Sequence, residues 1–172
     1  AIGSSALGAV TTADANTAVG QGAGQDITTG HSNSILGRDS AAQMTTGSNN
    51  TCAGFASGGL VTTGGNNTFV GALCGDGTDD GQSNTAVGIS ALSANCGDNN
   101  VAVGSSAGTA ITGGSNTVVG NAAGFDVTSG GNNMLLGKDS GRSGSPGGVH
   151  TTSSNRIALG DENVTNCHIQ VD

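Results

Sequence analysis

No tryptophan and no tyrosine occur in the 172 residues, and phenylalanine appears only as Phe55, Phe69 and Phe125. A saccharide site built by ring stacking, which needs exposed aromatic faces, therefore has little to work with. Basic residues are nearly as scarce. Arg38, Lys138, Arg142 and Arg156 stand scattered against 12 acids, for a net charge of −8 and a pI near 4.3. That balance excludes the basic stripe a nucleic-acid partner requires. No apolar run approaches the roughly 18 residues of a membrane span, so no membrane insertion is expected. Residue 1 already falls inside a repeat, and any targeting segment is expected to lie outside this stretch.

Catalytic material is missing too. Glu162 is the single glutamate and most aspartates stand alone along the chain, so the paired acids of a glycosidase are absent. His31, His150 and His168 accompany no nucleophile motif. Cys52, Cys74, Cys96 and Cys167 show no zinc spacing. They read as small buried hydrophobes, with a Cys74–Cys96 disulfide left open. The chain is expected not to be an enzyme.

What is present is glycine, 33 of them, in a chain only 34% apolar. Without a period such a composition reads as disorder, and here there is a period. Units such as "NTAVGQGAGQDITTGHS" and "NTVVGNAAGFDVTSGG" align on Gly3, Gly20, Gly37, Gly54, Gly71, Gly88, Gly104, Gly120, Gly137 and Gly160. Their spacing is 17 or 16 residues until a final interval of 23. Each unit offers a triplet before the glycine (Thr17-Ala18-Val19) and a second extended pair (Ile27-Thr28), both β-branched and punctuated by Gly and Asn. Helical periodicity does not survive the glycines. The expected fold is all-β: a parallel β-solenoid with one 16–17-residue coil per unit.

Three further expectations follow. Asn16, Asn33, Asn50, Asn67, Asn84, Asn100, Asn116 and Asn133 head successive units, which predicts a stacked amide ladder at one turn. Adjacent triplet positions such as Ile35-Leu36 and Phe69-Val70 are apolar together although they face opposite sides of a strand. Both faces then need cover, the second from another copy of the chain. The period also fails the multiple of six of a hexapeptide helix, so a homotrimeric fibrous shaft is expected. Arg38-Asp39 and Lys138-Asp139 occupy matching places in "GRDS" and "GKDS" and are candidates for interchain ion pairs. They read equally as solvated surface pairs.

By domain, residues 1–137 read as the solenoid shaft and 138–154, with the lone Pro146, as an irregular Gly/Ser-rich break. Residues 155–172 read as a terminal strand element. In "GDGTDDG" one unit exchanges its Val-Thr pair for acids. Asp76, Thr78 and Asp80 echo the opening half of a calcium loop, but Val87 stands where such a loop needs a bidentate glutamate. Calcium is the one cofactor to consider; otherwise none is expected.

The "NTAVG…AG…TTG" units resemble fibrous repeats of tailed-phage tail fibres and related virion appendages. More distantly, they are similar to the "SVAIG" head repeats of trimeric autotransporter adhesins. The end, "NRIALGDENVTNCHIQVD", resembles the stretch that leads into a self-cleaving intramolecular chaperone domain in many phage fibres. The resemblance implies a trimeric, non-enzymatic segment of a virion tail fibre that serves attachment to a host receptor or glycan. The alternative is a head module of a bacterial trimeric adhesin. An ice-binding solenoid is a third reading, since Thr28, Thr45, Thr62, Thr112 and Thr128 recur, but Asp79 and Cys96 break that array.

Overall fold

The computed structural model describes residues 1–142, 151–161 and 163–164. It is an all-β parallel solenoid, without a helix among the described residues. Nine three-residue strands stack in chain order into one sheet. They are β1 (Thr17–Val19), β2 (Ser34–Leu36), β3 (Thr51–Ala53), β4 (Thr68–Val70), β5 (Thr85–Val87), β6 (Val101–Val103), β7 (Thr117–Val119), β8 (Met134–Leu136) and β9 (Ile157–Leu159). Every pairing is parallel and joins like positions of consecutive units, as in Ala18↔Ile35 and Phe69↔Ala86.

Strand direction and period explain the core. The middle residue of every triplet points inward, giving a column of Ala18, Ile35, Cys52, Phe69, Ala86, Ala102, Val118, Leu135 and Ala158. A second inward column, Ile27, Met44, Val61, Ile111 and Val127, closes on it from across the coil. Bulk is traded between neighbouring rungs. Phe69 lies where a Cβ on Gly75 would come within 2.6 Å of its ring, whereas Leu92 is buried in a part of the chain whose other core residues include the small Ala86, Ala91 and Ala102. A narrow core of this kind reaches native density by alternating large and small side chains.

The second extended pair differs from expectation. It stacks but forms no strand, because three successive N–H groups converge on one carbonyl. Thr45, Thr46 and Gly47 all donate to Thr62 O, at 2.9, 3.2 and 3.3 Å. That convergence bends the chain where a ladder would need it straight. The threonine hydroxyls join the same stack, Thr28 Oγ1 to Thr45 O and Thr45 Oγ1 to Thr62 O.

The 23-residue interval still links two neighbouring rungs of the sheet. Regular stacking continues to Arg142 and is present again at Thr151, which accepts from Thr128 N–H at 2.6 Å. β9 then pairs with β8 in the common register, Met134↔Ile157. Ile157–Leu159 is thus the ninth rung of the same sheet; Pro146 and the rest of 143–150 lie outside the described residues.

Candidate interaction face and asparagine ladder

Each unit places one asparagine four residues before its corner glycine, and the turn sets that side chain inside the stack. Its Oδ1 accepts the N–H of the next unit's asparagine: Asn16 from Asn33, Asn33 from Asn50, Asn50 from Asn67 and Asn67 from Asn84, each at 2.9 Å. The series runs on through Asn84, Asn100, Asn116 and Asn133 at 2.8–3.1 Å. The amide NH₂ reaches a glycine carbonyl of the following turn, as from Asn33 to Gly47 O and Asn67 to Gly81 O, both 2.9 Å. One side chain thereby satisfies a donor and an acceptor that the turn would otherwise bury unpaired.

Asn84 is the exception. Its Nδ2 is buried without a partner. Its coil is the first of the 16-residue units, and the Gly97 carbonyl is taken instead by Asn100 Nδ2 at 3.0 Å. The same rung turns Asn95 outward and Cys96 inward.

The ladder ends at a residue that sequence spacing conceals. Counting back four from Gly160 reaches Arg156, whose N–H donates to Asn133 Oδ1 at 3.0 Å in the ladder manner. Its side chain offers no acceptor to a further rung. The long last interval hid this alignment; the constant offset of four from the corner glycine reveals it.

Flanking the inward column, the third residues of the triplets form an outward apolar column that includes Leu36, Val70, Val87, Val103, Val119 and Leu159. Leu36 is 57% exposed and Val70, Val87, Val103 and Leu159 are each 38% exposed. Around the corner glycines, exposed Phe55, Leu73 and Ile89 extend this surface. Isolated exposed apolar residues are ordinary, whereas this stripe repeats on consecutive rungs.

The charged pairs lie beside it. Arg38 Nε is 3.5 Å from Asp39 Oδ2, and its guanidinium covers the Phe55 ring at 4.6 Å. Asp139 is paired with Lys138 and, at 2.7 Å, with Arg142, and these two cations hold its carboxyl below the usual range. Arg142 also lies 4.8 Å over Phe125. Within one chain, then, each of these charges already has a partner.

In the acidic unit, Thr78 is fully buried, its Oγ1 3.2 Å from Cys96 Sγ, whereas Asp80 is exposed. Asp76 is half-buried, and burial raises its carboxyl pKa against the pull of its own and the Gly77 backbone N–H. Its Oδ1 has no partner. Among the described residues no three His, Cys, Asp or Glu side chains gather as a metal site. Cys52, Cys74 and Cys96 are buried free thiols, so Cys74 and Cys96 are not bonded to each other. Burial pushes the first two up to about 12. His31 is exposed; His150, His168 and Cys167 lie outside the described residues. Compared with family models, curated proteins and solved structures, the chain matches none.

Proposed function

We propose that the chain is a non-enzymatic shaft segment of a trimeric tail fibre on a phage virion, carrying a receptor-binding tip toward the host surface. The observation that carries this reading is the outward apolar column running up the rungs beside a self-sufficient core. At about 4.8 Å per rung, the nine strands put that column along a stripe roughly 40 Å long. Identical chains packed in parallel about one axis bring every rung level with its counterparts and cover the column by cyclic symmetry. The likeness of the repeats to trimeric fibres supports three copies, and the likeness of the terminal segment to chaperone-adjoining sequence favours the phage setting over the adhesin head.

The test is the native mass by light scattering, against 16.3 kDa for one chain. Three times that mass is expected. A single-chain mass at micromolar concentration overturns the shared-surface argument.

A further inference from the structure

A repeat makes its own exceptions visible. Strands open with a hydroxyl residue at Thr17, Ser34, Thr51, Thr68, Thr85 and Thr117, and an asparagine precedes each of them. Among the nine strands the hydroxyl lapses at Val101, Met134 and Ile157, and at Ile157 the asparagine lapses with it, Arg156 standing in its place. The fold does not ask for these changes. Met134 is 42% and Ile157 73% exposed, so neither fills the core. Arg156 contributes to the stack through its backbone N–H while its side chain is exposed.

All three border one groove of about 300 Å³, which Thr117, Asn132 and Asn155 help to line. Its chemistry is divided. Met134 and Ile157 supply apolar surface, and the turn residues supply amides. Asn132 Nδ2 donates to Asn155 Oδ1 at 2.7 Å, which orients the pair and leaves the Asn155 NH₂ as donor and the Asn132 Oδ1 as acceptor. Arg156 adds a guanidinium, and among the described residues it forms no ion pair with a carboxylate, whereas Arg38, Lys138 and Arg142 do.

We propose that this groove binds the carboxylate-bearing sugar unit of an acidic glycan. The planar guanidinium fork matches a carboxylate. The two amides meet ring hydroxyls, and the C–H face of the ring lies on Met134 and Ile157. The volume stands at the lower end of the ~300–1,000 Å³ range of small-molecule sites, room for one sugar unit. With a net charge of −8 on the whole chain, attraction is confined to the neighbourhood of Arg156. All its lining residues belong to one chain, and Met134 and Ile157 share the outward sheet face with the apolar column, at the other end of each strand.

The experiment is a titration of the isotope-labelled full chain with trigalacturonate, following the Arg156 Nε–H and the Asn132 and Asn155 side-chain amides by NMR. Neutral trigalactose and inorganic phosphate serve as parallel probes. Saturable shifts with trigalacturonate are expected. Binding should weaken at least about tenfold for the neutral sugar and for Arg156→Asn, the loss of one charge-assisted contact. Met134→Thr with Ile157→Thr should weaken it as well. These variants restore the repeat's own residues, so their melting temperatures should hold, and that is checked alongside. No saturable shift, equal shifts with phosphate alone, or unchanged affinity in the folded variants overturns the proposal. Light scattering on the same samples keeps the two readings apart: a trimer that binds no sugar sinks this site alone, and a sugar-binding single chain sinks only the trimer.

Discussion

Each coil turns at a glycine held in a conformation that side chains rarely adopt. At Gly71 φ is +139°, and a Cβ there would stand 2.5 Å from the carbonyl oxygen of Gly88 on the next rung. Strain and collision act together, so Gly71→Ala should cost about 3 kcal/mol or more, read as a fall in the denaturation midpoint. The opposite change is available two residues past the preceding corner. Ala56 sits at φ 50°, left-handed space that costs an L-residue roughly 1–2 kcal/mol. Ala56→Gly is expected to raise stability by a few tenths to about 1 kcal/mol, and a lower midpoint would contradict this account of the turn.

Asp76 carries a residue-scale pH dependence. Burial raises its folded pKa above the ordinary 3.8. The folded state therefore favours the protonated form, and that favour is full below the unfolded value and lost as pH rises through the folded one. Asp76→Asn should stabilise the protein at pH 7, by up to about 1 kcal/mol after allowance for partial exposure, and do little at pH 3. Melting curves of the two proteins at both pH values decide it. An equal gain at both would assign the effect to something other than ionisation.

At the scale of elements, the strands are too short to stand without the turns between them, and the asparagine ladder ties those turns together. Asn67 is buried, donating to Gly81 O and accepting from Asn84 N–H. Asn67→Ala removes both bonds and leaves both backbone groups buried, a loss of about 3 kcal/mol. Urea denaturation measures it, and a loss below about 0.5 kcal/mol, the scale of a neutral surface change, would show the ladder to be ornamental.

The stack is not equally tied throughout. Thr46, Gly47, Thr63 and Gly64 all donate to the next rung, but the corresponding N–H groups of Asp80 and Gly81 have no partner among the described residues. The next rung is the first 16-residue unit, headed by Asn84, whose Nδ2 is orphaned. Native-state hydrogen exchange should find Asp80 and Gly81 exchanging well ahead of Thr63 and Gly64. Equal protection would mean that the junction with the shortened unit opens no more readily than the junctions beside it.

At the scale of the whole molecule, the core is complete within one chain while the outward column is not covered. Lysine at Val70 and Val87 together should leave the coil folded, since both side chains already point outward. It would place two like charges per chain at the proposed axis. The expected result is a native mass reduced to that of one chain with melting still cooperative; an undiminished trimer would move the interface elsewhere.

Much of this architecture was legible in the residues. Period, strand position and parallel stacking follow from glycines at a fixed interval preceded by β-branched triplets, because like residues can stack only if each unit closes one turn. The inward place of Phe69 follows from its seat at the centre of a triplet. What the sequence left open depended on groups it does not display. The Ile-Thr pairs promise a second strand, yet three N–H groups sharing one carbonyl make a bend, and backbone convergence leaves no mark on side-chain pattern. The 23-residue interval suggested a break after 137, whereas Ile157 pairs with Met134 in the common register, because an insertion displaces numbering without displacing the rung. Only the tertiary stack put Arg156 at the head of the asparagine column beside Met134, Asn132 and Asn155. A site of that kind is made by side chains one rung apart in space and 23 residues apart along the chain.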